Sequence, residues 1–324
     1  MGARVLVCGL ATLDVVQTVE RVPTANEKVV AAGLAVAAGG PAANAAVTCA
    51  ALGVPARLVT RIGGGALGEV VRRDLVDAGV EVVDLAGAGV SPPVSTVLVT
   101  RATGERAVVS VNATGSAGAR AGSGGGAVPG EVWDGVGLVL VDGHHLDLGV
   151  AVAAEARRRG VPVLLDGGSW KPGLEALLAC VDVAVVSADF AVPEGVGDGG
   201  RTRGGVLDAV LRLGPSVAAR SAGAGPVAVA VAGERASVPV PPTRVVDTLG
   251  AGDVLHGALA AWLAARGIGA SARIGRVDDV VAALGWAAGV ASASCAAAGA
   301  RGWTGDAALV ARLRTEIGTG GQGR

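Results

Sequence analysis

Aromatic side chains are nearly missing from this 324-residue sequence: they make up 2% of it, with no tyrosine, one phenylalanine and five tryptophans. Without them the stacking platforms that hold single-stranded nucleic acid cannot be built. Lysine is as scarce, at Lys28 and Lys171 only, and the formal net charge is -1 with no basic stripe. Arg157, Arg158 and Arg159 read as the solvated last turn of a helix, where cations complement the dipole, rather than as a phosphate-backbone footprint. Nucleic acid is not an expected partner. Cysteine appears four times, at Cys8, Cys49, Cys180 and Cys295, scattered and without a C-x-x-C pair, so neither zinc ligation nor a disulfide framework is expected and a reducing cytoplasm fits. Charge is absent from Val29 to Ala56 and from Val280 to Ala300, each long enough to span a membrane. Both runs are dominated by alanine and glycine. Gly39-Gly40-Pro41 breaks the first at its centre, and the second reads as a helix packed on all sides, so no membrane association is expected. The apolar run Val5 to Leu13 is short, holds Gly9 and meets Asp14, and is read as a first strand rather than a signal peptide.

What is present is a large apolar fraction. Hydrophobic residues make up 51% and charged residues 17%, enough burial to offset chain entropy. The length exceeds what one core fills, which predicts one large domain with a smaller appended piece. Short β-branched runs recur at Val5 to Cys8, Leu58 to Ile62, Leu138 to Val141, Pro162 to Leu165, Val183 to Val186 and Val227 to Val231. They are continuously apolar, as strands covered on both faces should be. Helix-like segments alternate with them at Ala42 to Leu52, Gly68 to Ala78, Gly149 to Arg159 and Leu174 to Ala179. The fold class that follows is α/β, a doubly wound and mostly parallel sheet with helices on both faces. Two insertions, about residues 15–36 and 94–111, break the rhythm. Thr103-Gly104-Glu105 supplies a hairpin turn in the second, and the pair is expected to form a small β-sheet lid over the carboxyl edge, where ligands of open α/β sheets bind. Gly115 to Gly130 and Pro193 to Gly205 read as loops, and Gly318 to Arg324 as a frayed tail.

Chemistry concentrates in the run from Thr243 to Leu259. A strand is expected to end at Asp247 and a helix to begin near Gly250, so that the amides of Gly250, Ala251 and Gly252 face out of a helix start as an anion cradle. Glycine there would let a phosphate approach, and the same amides are expected to keep Asp253 ionised. A carboxylate beside a phosphate can orient and deprotonate an attacking hydroxyl. On local pattern alone, a glycine turn followed by a favourable first-turn Asp is the alternative. A second run, Gly39 to Val47, places Pro41 at the first helical position behind a glycine-lined start, with Asn44 able to donate and accept hydrogen bonds or simply to satisfy the helix start. Asp14, a few residues past the first strand, can accept hydroxyl hydrogens, with an N-cap or turn role as alternative. His144 lies just past a strand's carboxyl end, within reach of a substrate. With His145, Asp142 and Asp147 it lacks metal-ligand spacing. His256 shares a helix face with Asp253, but this chemistry needs no such partner and a core role is expected.

Together these elements resemble the ribokinase-like (PfkB) carbohydrate kinases. The two signatures match Gly39 to Gly53 (GGPAANAAVTCAALG) and Asp247 to Asp253 (DTLGAGD), and the order of elements is similar over residues 4 to about 310. The resemblance implies a single kinase domain over residues 1–324 and ATP-dependent phosphorylation of a sugar hydroxyl with Mg2+. It implies Asp253 as base, Gly250, Ala251 and Gly252 as anion hole, and Asp14, Gly39, Gly40, Asn44, Asn112 and His144 around the substrate. Ser187, Arg220, Gly223 and Thr248 fall to the nucleotide side, and K+ is left open as a further requirement. The segments PPTRVVDTLGAGD, VSADFA and LDVVQTVERVPT look most like the ketohexokinase and sulfofructose kinase branches, which favours a ketohexose-like sugar.

The sequence departs from the family pattern in places. Pro41 stands where ribokinases carry Lys. The Asn-x-x-Glu that organises magnesium waters is here Ser187-Ala188-Asp189-Phe190, leaving Asp189 as candidate metal ligand. A nucleotide-side Thr-x-Gly is here Ala218-Ala219-Arg220. Lys28, in the expected lid, could pair with an anionic substituent on the sugar or be surface charge. A nucleoside or keto-deoxy sugar acid kinase, or a non-catalytic sugar-binding protein, are the alternatives. A lid sheet with exposed edges is expected to pair between subunits in a homodimer.

Overall fold

The computed structural model describes residues 3–87, 89–103, 105–111, 128–196, 205–231, 233–267 and 276–319. The chain opens with β1 (Arg4–Cys8), then β2 (Thr12–Val19) and β3 (Gly33–Gly39), which leads directly into α1 (Pro41–Ala51). The next pairs are β4 (Ala56–Thr60) with α2 (Gly65–Asp77), and β5 (Val80–Asp84) with the hairpin β6 (Val94–Thr100) and β7 (Arg106–Ser110). After these come β8 (Val136–Val141), α3 (Leu146–Arg158), β9 (Val163–Gly167), α4 (Leu174–Leu178), β10 (Val183–Val186) and α5 (Gly205–Arg212). The chain ends with β11 (Val217–Ala222), β12 (Gly225–Val231), β13 (Glu234–Val238), α6 (Ala251–Ala265), α7 (Val277–Ser294) and α8 (Ala307–Thr319).

Among the described residues nine strands form one sheet in the order β13-β12-β11-β10-β9-β8-β1-β4-β5, parallel from β11 to β5 and antiparallel at β12 and β13. The continuous apolar runs have the cause expected of them. In β1, Val5 and Val7 enter the core under α1, α6, α7 and α8, while Leu6 and Cys8 enter a second core under α3, α4 and α5. A strand alternating between two cores has no polar face to show.

The insertions form a separate four-stranded sheet, β3-β2-β6-β7, which is the small sheet expected of them. Their strands reach further than the expected bounds: β2 starts at Thr12 and β3 runs to Gly39. Two other expectations are corrected. No strand ends at Asp247; after β13, Pro241-Pro242 removes two ladder donors, and the β-branched run behind them is irregular, with Val245 and Val246 exposed. Gly318 is helical in α8 rather than frayed, and 320–324 lie outside the described residues. Asn112 and most of the stretches Gly115 to Gly130 and Pro193 to Gly205 also fall outside them. Among the described residues no helix is long and apolar enough to cross a membrane.

Candidate active site

The start of α6 is a turn braced from two sides. Asp247 accepts the Leu249 amide at 2.9 Å and the Gly299 amide at 2.9 Å, and the amides of Val246 and Asp247 both donate to Cys295 O at 2.8 and 3.1 Å. The chain therefore reaches α6 tied to the end of α7, not from a strand. Gly250 is the N-cap in the left-handed region (φ 73°), and a Cβ there would lie 2.5 Å from that of Ala300. Its glycine answers to backbone and packing. Nothing lies within 4 Å of the position a Cβ would take on Gly252, so this glycine is the one that leaves room for an anion. The Ala251 amide turns back on Thr248 O at 3.3 Å, and the helical ladder closes with Val254 N–H on Gly250 O at 2.9 Å. Of the expected cradle Gly250–Gly252, the Ala251 amide is thus engaged within the turn, while the N–H groups of Gly252 and, beyond the expected three, Asp253 precede that closure, where a helix offers donors to an anion.

Asp253 accepts Asn44 Nδ2 at 2.7 Å. The amide's orientation is fixed from behind, because Arg301 Nε donates to Asn44 Oδ1 at 3.0 Å and a guanidinium can only donate. Arg301 Nη1 in turn donates to Asp74 at 2.8 Å, and the same carboxylate oxygen accepts the Ala38 amide at 2.8 Å. A chain of polar contacts thus runs from the base of the lid to Asp253. Asn44 is 7% exposed and spends both ends of its amide within the protein. The carboxyl of Asp253 is pushed up to about 7, first by burial and next by the charge of Asp166, against the Asn44 donor and the nearby His256. The expectation that helix-start amides hold Asp253 at low pKa is therefore corrected: removal from water outweighs them.

The lid supplies the opposite wall. Asp14 lies within β2 rather than at an N-cap or turn, half-buried, with Thr12 Oγ1 donating to its Oδ1 at 2.7 Å. A Cβ on Gly39 would sit 1.9 Å from Asp14 Oδ2, and one on Gly40 (φ 95°) 2.5 Å from Leu10 O. Both glycines of the first signature make room for the protein's own groups. Arg106 on β7 shares the lid face of Asp14 by strand register and reaches Thr248 Oγ1 at 3.1 Å, with Asp247 Oδ1 at 3.9 Å. It joins the lid to the turn before the anion cradle. Sequence reasoning missed both Arg106 and Arg301. Arg106 follows the hairpin turn and the lid's alternation could have aimed it inward, whereas Arg301 gave no local signal. Lys28 is exposed between β2 and β3, and among the described residues no carboxylate lies within 4.0 Å of it.

Along the carboxyl edge, buried Asp142 accepts the Leu10, Ala42 and His144 amides at 2.8, 3.2 and 2.9 Å. Burial opposes its charge, yet donors from His144 and Leu10 hold it at about 2. Half-buried His144 stands 3.5 Å from Asp142; burial works to lower its pKa, but Asp142 raises it on balance. Ser187 donates to Gly168 O at 2.7 Å, and Arg220 donates to the Ala188 carbonyl. Gly223 (φ 59°) turns β11 into β12, and Asp189 is exposed just after β10. Among the described residues no three His, Cys, Asp or Glu side chains converge as a metal cluster. His256 is buried beneath the cradle, with Nδ1 2.7 Å from Gly252 O and Nε2 3.0 Å from Val185 O.

Comparison with known proteins supplies the remaining step. Ribokinase of Giardia lamblia shares 16% identity over 98% of this chain and 100% of that one, with a TM-score of 0.75. Arabidopsis thaliana ribokinase complexed with ribose and ATP shares 23% identity over 97% and 99%, with a TM-score of 0.71. Xylella fastidiosa fructokinase with bound ATP shares 18% over 98% and 99%, with a TM-score of 0.73. At these identities the likeness shows a common fold. The model of the pfkB family carbohydrate kinases matches residues 3–304, nearly the whole chain. The braced helix start, its adjoining acid and the lid thus lie in a sugar phosphotransferase: the chain belongs to the pfkB family of carbohydrate kinases.

Proposed function

We propose that the protein is an ATP-dependent kinase that transfers the γ-phosphoryl group to a hydroxyl of a ketohexose-like sugar. The observation that carries this reading is the placement of Asp253, in the first turn of α6 beside open Gly252 and tethered by Asn44. The Asp253 carboxylate takes the proton of the sugar hydroxyl. The oxygen attacks the γ-phosphorus, and the bond from that phosphorus to the β-phosphate bridging oxygen breaks, releasing ADP. The N–H groups of Gly252 and Asp253 face the transferring charge, and Arg106 brings a cation from the lid. Asp14 and His144 are the groups proposed to hold sugar hydroxyls, with Lys28 free to meet an anionic substituent.

ATP as donor is in keeping with the Arabidopsis and Xylella structures, both of which hold ATP in a related fold. Mg2+ is usually held by phosphates, water and one or two carboxylates, and the exposed Asp189 after β10 is a carboxylate of that kind. Bound there, it would supply positive charge to the phosphates. The four cysteines are free thiols, in keeping with a cytoplasmic site of action. The test is ADP release with fructose, sulfofructose, ribose, keto-deoxygluconate and adenosine, with and without K+. Turnover is expected to be fastest with a ketohexose or its sulfonate. Preference for adenosine or keto-deoxygluconate would overturn the substrate class, and sugar binding without ADP release would overturn the kinase reading. Lys28→Ala should raise the KM for a charged ketose more than for fructose.

A further inference from the structure

His256 takes no part in the proton transfer described above, yet both of its ring nitrogens are spoken for. Nδ1 faces Gly252 O at 2.7 Å and Nε2 faces Val185 O, on β10, at 3.0 Å. Both partners are carbonyl oxygens, which can only accept. A neutral imidazole carries one N–H and one lone pair, so either tautomer would set a ring lone pair against a carbonyl lone pair at hydrogen-bond distance. Only the doubly protonated ring satisfies both. Its partner is in place: Asp166 Oδ2, at the carboxyl end of β9, lies 3.3 Å from Nδ1; burial raises that carboxyl's pKa, and the ring's charge works against the rise. The pair is buried, His256 at 5% and Asp166 at 8% exposure, so an unpaired charge of either sign would be costly there.

We propose that His256 is a positioning residue: as an imidazolium paired with Asp166, it holds the phosphate-facing first turn of α6. The reason lies in which peptide it touches. The carbonyl of Gly252 and the amide N–H of Asp253 belong to one peptide unit, and a charged donor on the carbonyl strengthens the N–H dipole at the other end. The contact on Val185 anchors that turn to the central sheet, so the cradle is held from below. Among the described residues, the carboxyl groups around the ring are Asp166 from β9, Asp253 on its own helix and Asp142 from the end of β8. His144 and Lys171 act on Asp166 from farther along the edge. From α1, Cys49 is turned to Gly257 O, with its thiol pushed up to about 12 and thus neutral. The pair also sets two opposed fields on Asp253, the carboxylate raising its pKa and the imidazolium lowering it.

This inference rests on the kinase reading for its kinetics but not for its charge state, and the tests are chosen accordingly. In enzyme labelled with 15N-histidine at pH 7.5, both His256 nitrogens, assigned by their disappearance in His256→Gln, should resonate as protonated nitrogens. A pyridine-type nitrogen there would overturn the proposal, whether or not the enzyme turns over. In kinetics, His256→Gln should lower kcat about tenfold with sugar KM within about twofold. It should also move the acid limb of kcat/KM to higher pH, because a cation near Asp253 is lost. Asp166→Asn should move the same limb to lower pH. A merely structural role would not displace the two variants in opposite directions, and limbs that stay together overturn the proposal. If His256→Gln does not fold, the wild-type spectrum, assigned by His144→Gln and His145→Gln, and Asp166→Asn still decide it. Failure of the kinase reading is distinct: wild-type enzyme would release no ADP with any acceptor.

Discussion

A base that titrates near neutrality is protonated in a large share of molecules at pH 7, and this sets the behaviour of Asp253. Its carboxyl stands at about 7 instead of 3.8, so kcat/KM should climb with pH through that value and level off above it. The same shift acts on stability with a definite sign. Between roughly pH 4 and 7 the folded state binds more protons at this site than the unfolded chain, so stability falls as pH rises through that window. Asp253→Asn removes the buried charge while keeping an acceptor for Asn44. It should lower kcat by about 10²- to 10⁴-fold and at pH 8 leave Tm no lower, with a gain of about 2 °C expected. Calorimetry beside an ADP assay checks both; a large drop in Tm would mean that Asp253 is a structural anchor. The position of Asp253 was legible in the sequence because a glycine turn before an apolar helix is local. Its pKa was not, since Asp166 and the Arg301–Asn44 contact arrive from residues 87 and 257 positions from their partners by chain order, and neither has a local pattern.

Elements explain why two glycines in one signature do different things. Gly250 carries a positive φ and has Ala300 where a side chain would go, whereas Gly252 sits in the first turn of α6 with open space there. Gly250→Ala should therefore destabilise the fold by about 2 kcal/mol or more, seen in denaturant midpoint. Gly252→Ala should be neutral or stabilising by up to about 1 kcal/mol, since alanine is the better helix former. Its cost should fall on kcat, by about tenfold, as the new methyl meets the incoming phosphate. Full activity in Gly252→Ala would move the transferring charge away from this turn. Helix α6 was readable from its glycine start and apolar length, and α1 from Pro41 and Gly53. The segment before α6 misled because the valines just before Asp247 suggest a strand, but Pro241-Pro242 cuts the ladder and leaves Val245 and Val246 in solvent.

At the scale of the whole molecule, the parallel sheet was legible because strands covered on both faces cannot alternate, and the lid because its strands do. That alternation has a further consequence. One lid face carries Asp14 and Arg106 toward the site, while the register places Leu34, Val36 and Val109 together on the other, at 69%, 48% and 74% exposure. An apolar sheet face with open edges at β3 and β7 is unfavourable in water unless another surface covers it. A second copy of the lid is self-complementary for this purpose, as a two-fold interface requires. Light scattering should accordingly give twice the 31.2 kDa of one chain. Leu34→Glu combined with Val109→Glu should give a monomer with an unchanged circular dichroism spectrum, because both side chains already face solvent within one subunit. The monomer should keep Asp253 chemistry but bind sugar more weakly, since Asp14 then hangs on an unbraced sheet. A wild-type protein that runs as a monomer at micromolar concentration would refute this pairing.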